Sequence, residues 1–274
     1  MENTCFAQFQ SREIVYDHIC ATDFSVDIPT HTHNGWEFLL VKKGDLSYAV
    51  DGNIFHITPN SLIIARPGTV HALHSKSLIH YDRWDLIVTE NLLIKELIPH
   101  IPADFYVLDV SDNAIILGLF DRIDFYLSNV PREQIQRMLL SLINELWMNI
   151  YISTQVPTQS AASSSNPVIT KAIHYIREHI GEHLTVQQVS DALFITPSYL
   201  YQCFTRHLSI TPKQYIMLQK LQLVQQALIN AENPTEVCRR YGFSNYSTFY
   251  RNYQKAYGCR PSASPKQSLQ KIEL

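Results

Sequence analysis

The spacing of apolar residues divides the chain into a strand-rich first part and a helix-rich second part. Within the first hundred residues, short apolar or alternating runs such as WEFLLV (36–41), LSYAV (46–50) and LIIA (62–65) are separated by turn residues. The LSYAV run ends at Asp51-Gly52, a dipeptide typical of two-residue hairpins. Many short strands separated by turns predict an antiparallel barrel or sandwich.

Two helices are predicted after the strands, the first over roughly 113–128 and the second over 131–151. The second begins at Pro131, a favourable residue in the first turn of a helix, and carries a broad apolar stripe at helical spacing. The stripe consists of Ile135, Met138, Leu139, Leu142, Ile143, Leu146 and Ile150. Two interpretations stay open: the stripe belongs to the core of the domain, or it forms a homodimer contact through helix 131–151.

The segment 153–166 is rich in Ser, Thr, Gln and Pro, which predicts a flexible linker between a domain at 1–152 and a domain at 167–274. In the second domain, apolar residues recur every three or four positions, and helix-capping residues punctuate the pattern. Helix starts are predicted at Asn166-Pro167, Thr185, Thr196-Pro197, Pro212, Pro234 and Ser244/Asn245, and stops at Gly181 and Gly258. An all-helical domain is therefore expected.

This helical part contains an imperfect duplication. VSDALFITPSYLYQCF (189–204) aligns with VCRRYGFSNYSTFYRNY (237–253), and each unit combines a short helix, a turn and a longer helix. A small residue, Ser190 or Cys238, stands where the two helices of a unit must cross closely. This is the pattern of a helix-turn-helix, and two such units can enter successive major grooves of DNA about 34 Å apart.

The C-terminal part resembles the AraC/XylS-type DNA-binding domain in both halves, LTVQQVSDALFITPSYLYQCFTRHLSITPKQYI and RRYGFSNYSTFYRNYQKAYGCRP. The departures are Ser209 where the family usually has Gly, Arg260 for a usual Thr, and Ser264-Pro265 for an aromatic residue. The resemblance implies a sequence-specific transcription regulator rather than an enzyme. Its expected partners are double-stranded DNA, RNA polymerase and a small-molecule effector.

The predicted recognition helices have an inner and an outer face. Leu200, Phe204, Phe249 and Tyr253 are expected in the core. Family positions that face bases or neighbouring phosphates correspond to Ser198, Tyr201, Gln202, Arg206, Tyr246, Ser247, Tyr250 and Arg251. Gln can pair bidentately with adenine and Arg with guanine. Candidate phosphate contacts, each of which could equally be an ordinary solvated charge, are Lys213, Arg239, Arg240 and Lys255.

The distribution of charge agrees with a DNA-binding role for the second domain only. Through residue 166 there are 10 Lys and Arg against 19 Asp and Glu, a net charge of −9, and from Pro167 onward 12 against 6, a net charge of +6. Only the second domain therefore suits a polyanion. The five scattered cysteines form no CxxC pair, and the absence of an apolar run near 20 residues leads us to expect a cytoplasmic protein without a membrane span.

The stretch HTHNGWEFLLVKKG (31–44) carries metal-ligand residue types. The first domain resembles the cupin-like sensor domain of AraC-type regulators, and this resemblance places His31, His33, Glu37 and His71 at the four metal positions of cupin enzymes. Three interpretations stay open: a catalytic metal, a sensory metal, or residues that line a pocket for an organic effector such as a sugar or simply maintain a polar network. The third is preferred, so no cofactor is expected and a divalent metal is the alternative. The effector pocket is predicted from His31, His33, Glu37, Tyr48, Arg66, His71, His80 and Trp84.

Overall fold

A computed structural model describes the protein at residues 3–155, 163–181, 183–230, 232–263, 269 and 271–272. The strands of the first domain are β1 (Asn3–Gln10), β2 (Ile14–Phe24), β3 (Asp27–His33), β4 (Trp36–Lys43), β5 (Leu46–Val50), β6 (Asn53–Ile57), β7 (Ser61–Ala65), β8 (His71–His74), β9 (Ile79–Val88) and β10 (Val107–Asp109). Two helices follow, α1 (Ala114–Asn129) and α2 (Arg132–Gln155). The remaining elements are β11 (Ser163–Ser165), α3 (Pro167–His179), α4 (Val186–Ala192), α5 (Pro197–Leu208), α6 (Pro212–Ile229), α7 (Pro234–Arg240), α8 (Tyr246–Tyr257) and β12 (Lys271–Ile272).

The first domain is a barrel of two antiparallel sheets. One sheet has the strand order β1-β2-β9-β4-β7-β10 and the other β11-β6-β5-β8-β3-β12. The hairpin between β5 and β6 turns at Asp51 and Gly52, which both have positive φ, 47° and 81°. Positive φ at both turn residues matches the right-handed twist of the strands that they connect. The hairpin predicted from the Asp-Gly dipeptide is confirmed.

Strand β4 is buried on both faces, which explains its almost unbroken apolar run. Trp36, Phe38 and Leu40 pack under α1 and α2. Leu39 and Val41, on the opposite face, belong to the core between the two sheets. Alternate residues of a strand point to opposite faces, so the charged Glu37 also faces the barrel interior.

The apolar stripe of α2 is part of the domain core. Ile135, Leu139, Ile143 and Ile150 are fully or almost fully buried against the sheet and α1. Of the two interpretations of this stripe, the structure therefore supports core packing. A dimer contact through α2 stays a prediction, and it would have to use the opposite face of the helix.

The predicted linker is helical at one end and a strand at the other. Helix α2 continues to Gln155, and β11 pairs with β6, with Ser164 opposite Ile54. The expectation of a flexible linker over the whole of 153–166 is therefore wrong for 163–165, where backbone pairing with an edge strand overrides the polar composition. Residues 156–162 lie outside the described residues.

The second domain is helical, as expected, and its helices begin at the predicted capping residues. The side chains of Asn166, Thr196 and Asn245 accept hydrogen bonds from the first turns of α3, α5 and α8. Thr185 and Thr211 form full capping boxes. Ser209 has a left-handed backbone with a φ of 56°, as its position in place of a family glycine predicts.

These elements confirm the fold expected from the resemblance, a cupin-like barrel with two helices followed by an all-helical double helix-turn-helix domain. After α8 the described chain forms a 3-10 turn at Pro261–Ala263, and the predicted departure at Ser264-Pro265 lies outside the described residues. None of the helices in the described ranges is long and apolar enough to cross a membrane.

Candidate DNA-binding face and effector site

Helices α5 and α8 each separate a buried face from an exposed face. Leu200, Phe204, Phe249 and Tyr253 are completely buried, as predicted. The outer faces carry all eight predicted DNA-reading residues, which are exposed apart from the half-buried Tyr250. Both helices pack in one core with α6, so the two outer faces are held in a fixed relation. Contact with DNA stays a prediction for each of these residues.

The predicted phosphate contacts are exposed, but one of them already has a partner. Lys213, Arg239 and Lys255 are at the surface. Arg240 Nη1 lies 2.6 Å from Glu232 Oε2, and this hydrogen-bonded carboxylate raises the pKa of Arg240. A phosphate would have to compete with Glu232 for Arg240, so Arg240 is the weakest of the four candidates.

Strands β3, β4 and β8 bring the three histidines and the glutamate together inside the barrel. His31 and His33 are two residues apart and so lie on one face of β3. His31 is directly opposite His71 of β8 in the sheet register. Their ligand atoms and those of Glu37 all lie within 4.8 Å of one another, and all four residues are buried. The structure thus brings together the four residues that the cupin resemblance places at metal-ligand positions, and their role stays a prediction.

The three imidazole rings are oriented by the same kind of hydrogen bond. Nδ1 of His31 is 2.8 Å from the Pro29 carbonyl oxygen, Nδ1 of His33 is 2.8 Å from that of Gly35, and Nδ1 of His71 is 3.0 Å from that of Thr69. A carbonyl only accepts, so each Nδ1 must carry its hydrogen. The Nε2 atom of each ring is therefore the one available for a metal or a proton.

Glu37 faces these Nε2 atoms. Its Oε2 lies 3.1 Å from His71 Nε2 and 3.4 Å from His33 Nε2. Burial favours the neutral carboxyl, but His71 and His33 outweigh it and hold the pKa of Glu37 well below its usual range. An ionised carboxylate this close to a nitrogen lone pair would be repelled. Each short contact therefore requires a proton or a metal cation between the two atoms.

A cavity of about 170 Å³ adjoins the cluster. It is lined by Ile28, His31, His33, Glu37, Leu39, Tyr48, Ile63, His71, Leu73, Arg83, Asp85 and Ile87. Five of the predicted pocket residues are thus in one cavity: His31, His33, Glu37, Tyr48 and His71.

The other three predicted pocket residues lie elsewhere. Arg66 donates to the carbonyl oxygens of Ile101 and Pro102 at 2.8 and 2.7 Å, and it lines a separate cavity of about 310 Å³ between the two domains. His80 is exposed on the outside of the barrel. Trp84 faces α1, because its side of β9 packs under the helices.

Two charged residues that line the cavity, Arg83 and Asp85, were missed from sequence. They alternate with Trp84 along β9, so choosing Trp84 for the pocket selected the wrong face of the strand. The sequence did contain a signal for them: charged residues alternate with apolar residues along this strand, and they lie on the face opposite the tryptophan. Arg83 pairs with Asp17 in a close ion pair, and its Nη1 lies 3.8 Å from Asp85 Oδ2.

The helical domain is docked on the same strands that carry the histidines. Between His31 and His33, Thr32 points outward and accepts a hydrogen bond of 2.5 Å from Gln222 Nε2 of α6. The same amide donates to the His33 carbonyl oxygen at 3.1 Å. Thr30 donates to the Leu208 carbonyl oxygen at the end of α5. One face of β3 thus holds the cluster, and the other contacts the helical domain.

Asp51, in the β5–β6 hairpin, is a second point of contact between the domains. It is 4% exposed and accepts from Arg177 of α3 at 2.7 Å, from the Tyr106 hydroxyl at 3.1 Å and from the Tyr215 hydroxyl of α6 at 3.4 Å. Gly52 lies so close to α3 that a Cβ there would come within 2.3 Å of Ile169. The predicted hairpin therefore also serves as a docking surface.

Comparison with known proteins agrees with this division of the chain. Residues 25–78 match the cupin domain family and residues 189–267 a helix-turn-helix domain family. The XylDLEGF operon transcriptional activator of Pseudomonas putida is 28% identical over 114 residues, 40% of this chain and 36% of that protein. The probable transcriptional regulator LumQ of Photobacterium leiognathi is 30% identical over 90 residues, 32% of this chain and 36% of that protein.

A longer match is to the uncharacterized HTH-type transcriptional regulator YobQ of Bacillus subtilis (strain 168), 22% identical over 85% of this chain and 86% of that protein. The chain covers little more than a third of the length of the first operon activator that it matches. Among solved structures, ToxT from Vibrio cholerae O395 aligns over 92% of this chain and 96% of its own at 11% identity and a TM-score of 0.39. The AraC-like transcriptional activator CuxR aligns over 78% of each chain at 14% identity and a TM-score of 0.37.

Proposed function

We propose that this chain, an AraC/XylS-type regulator by its cupin and helix-turn-helix domains, binds specific DNA sequences and is controlled by a ligand in the barrel. The observation that carries the proposal is the pair of exposed outer faces on α5 and α8, held in one core with α6. Two fixed recognition helices suit two successive major grooves. The protein would act in the cytoplasm on double-stranded DNA, with RNA polymerase as a further partner.

DNA binding is tested by selecting bound sequences from random duplexes and measuring affinity for the selected site in a salt series. Arg251→Ala should relax the preference at one base pair, at a cost of about 1–3 kcal/mol for the correct base. Lys255→Ala should weaken binding to all sequences and lower the salt slope by about 1. Arg122→Ala, which removes a cation from the barrel domain, is the matched control. Unchanged affinity in both recognition-face variants would contradict the assignment.

A divalent metal is the second candidate ligand, and the hydrogen bonds of the imidazole rings favour it. All three Nδ1 atoms are tied to carbonyl oxygens, which leaves Nε2 for coordination. His31, His33, His71 and Glu37 would hold the ion, since imidazole and carboxylate ligands suit divalent transition metals. A bound metal would supply a positive charge next to the Glu37 carboxylate and could also bind an oxygen atom of a ligand. The relatives are transcription regulators, which supports a sensory rather than a catalytic role.

The metal proposal is tested by elemental analysis of the purified full-length chain. We expect about one ion per chain in the wild type, and its loss in His33→Ala. His80→Ala is the matched control, because His80 lies on the outside of the barrel and should not affect metal content. Equal metal content in wild type and His33→Ala would refute the site.

Control is proposed to pass through β3, because Gln222 contacts Thr32 and the His33 carbonyl on the same strand that carries His31 and His33. A ligand couples to DNA binding only if it favours one arrangement of the two domains. Gln222→Ala should therefore reduce the ratio of DNA affinities with and without Zn²⁺. Gln226→Ala, one turn further along α6 and exposed, should leave that ratio unchanged.

A further inference from the structure

The barrel cavity has polar side chains in addition to the histidine cluster. Tyr48, Arg83 and Asp85 line it; Tyr48 and Arg83 are more than nine-tenths buried, and the Asp85 side chain is 16% exposed. Among the described residues, the Tyr48 hydroxyl, Arg83 Nε and Asp85 Oδ1 have no hydrogen-bond partner. Buried polar atoms are almost always paired in native proteins, so these three atoms mark the position of a polar ligand.

The hydrogen-bonding capacity of these three atoms indicates which polar groups the ligand carries. Tyr48 and Arg83 both donate, so the ligand must offer acceptor oxygens to them. Asp85 contributes a carboxyl oxygen, which pairs with a hydroxyl group. A carboxylate that also carries a hydroxyl satisfies all three, whereas a hydrocarbon or a simple amine would leave at least two of them without a partner.

The donors of the cavity favour a carboxylate on the ligand. Arg83 pairs with Asp17 through Nη1, and its Nε remains without a partner. A guanidinium N–H makes a stronger hydrogen bond to a carboxylate than to a neutral oxygen. The ligand is therefore expected to be a carboxylic acid in its ionised form.

The volume of the cavity limits the size of the ligand. A protein cavity of about 150 Å³ holds benzene, and the barrel cavity is about 170 Å³. It therefore accommodates roughly six to eight non-hydrogen atoms. A sugar ring with all its hydroxyl groups is larger, so the sugar considered from sequence is not favoured for this cavity.

We infer that the barrel binds a small α-hydroxy acid of three or four carbons as a monoanion, with its oxygens shared between the metal site and Tyr48, Arg83 and Asp85. This inference rests on the proposed metal-bearing sensor. The histidine cluster and the three unpaired atoms belong to one cavity. An α-hydroxy acid offers a carboxylate and a neighbouring hydroxyl to both sets of groups in this cavity.

The test compares three ligands of nearly equal size by calorimetry and thermal shift on the full-length chain loaded with Zn²⁺. Lactate carries both groups, propionate lacks the hydroxyl, and 1,2-propanediol lacks the carboxylate. We expect lactate to raise the melting temperature and to bind at least about 10-fold more tightly than either relative, since each lost group leaves a buried atom unpaired. Equal affinities for lactate and propionate, or no shift with any of the three, would overturn the inference.

Tyr48→Phe removes only the unpaired hydroxyl, so the variant should fold normally and keep its Zn²⁺. Its affinity for lactate should fall at least about fivefold. Tyr16→Phe is the control, because Tyr16 is a buried tyrosine of the same domain whose hydroxyl donates to Asp124 and which does not line the cavity. Wild-type lactate affinity in Tyr48→Phe would refute the assignment.

Zinc content and DNA binding, measured on the same preparations, separate this inference from the proposed function. A chain that retains Zn²⁺ and binds DNA but ignores lactate overturns the ligand alone. A wild-type chain that takes up no Zn²⁺ overturns both the metal site and the binding of the hydroxy acid at that site. The DNA affinity of the same chain then tests separately whether the protein is a DNA-binding regulator.

Discussion

Replacing Asp51 by Asn tests whether the β5–β6 hairpin holds the DNA-binding domain against the barrel. The substitution keeps the shape of the side chain and removes its negative charge. Asp51 has a φ of 47°, and Asn tolerates this left-handed conformation as well as Asp does. The turn should therefore persist, and any loss of stability can be attributed to the contacts of the carboxylate.

The expected cost follows from those contacts. Arg177 is 2.7 Å from the carboxylate, but its side chain is 40% exposed, so solvent screening limits the ion pair to about 1 kcal/mol. The hydroxyls of Tyr106 and Tyr215 donate to the same carboxylate. Bonds to a charged acceptor are about twice as strong as neutral ones, so replacing it with an amide oxygen costs about 1 kcal/mol more. The total is about 2 kcal/mol.

Thermal unfolding of the full-length chain measures this loss. A destabilisation of about 2 kcal/mol should lower the melting temperature by roughly 4–8 °C. Asp45→Asn is the control, because it removes the same charge from an exposed carboxylate whose contact with His56 is also exposed. The control should change stability by less than about 0.5 kcal/mol. If both variants melted at the same temperature, Asp51 would have no role in holding the domains together.

Three further predictions concern other parts of the molecule. Burial lowers the pKa of His18, but the hydrogen bonds that its ring nitrogens donate to Asp124 and Asp82 raise it above its usual value. The stabilisation is therefore present below the unfolded pKa, about 6.5, and is lost as the pH rises through the folded one; urea unfolding should show a loss of stability above about pH 6.5 that is absent in His18→Gln. Ser209→Gly should raise the free energy of unfolding by about 0.5–1 kcal/mol, because glycine adopts a left-handed backbone without strain; a lower value in denaturant unfolding would contradict this. If the chain dimerises through the outer face of α2, where Leu140 is 39% exposed, Leu140→Lys should yield monomers in light scattering, and an unchanged mass would exclude that face.

Local signals in the sequence predicted the elements and the histidine cluster well. Capping residues such as Thr185 and Asn245 act within one turn of a helix, so their effect is visible in a few neighbouring positions. The duplication and the HxH spacing are equally local. His71 was found because the cupin resemblance supplied its partner positions. Without that resemblance, the position of His71 opposite His31 could not have been predicted, because it depends on how two strands distant in sequence pair.

The errors came from features that depend on tertiary structure. Trp84 and Arg66 were assigned to the pocket by residue type. The helices that cover β9 determine which of its faces is turned away from the cavity, and Trp84 lies on that face. Arg66 instead donates to the carbonyl oxygens of Ile101 and Pro102. Residues 163–165 were assigned to a linker by composition, although an edge strand of the barrel recruits them into a sheet. The docking of the helical domain on β3 was also invisible, because Thr32 and Gln222 are 190 residues apart.

The alternation of β3 joins these observations into one physical argument about control. A strand points successive side chains to opposite faces, so a run of His, Thr and His places Thr32 against the helical domain between two inward histidines. Any shift of the strand that improves ligand binding by His31 and His33 must move the hydroxyl that Gln222 contacts at 2.5 Å. Hydrogen bonds weaken steeply with distance and angle, so even a small shift would change the docking free energy. Reciprocity then requires the docked domain to alter ligand affinity by the same factor. Ligand affinity measured in Gln222→Ala is therefore as direct a test of coupling as DNA affinity, and it needs no knowledge of the operator.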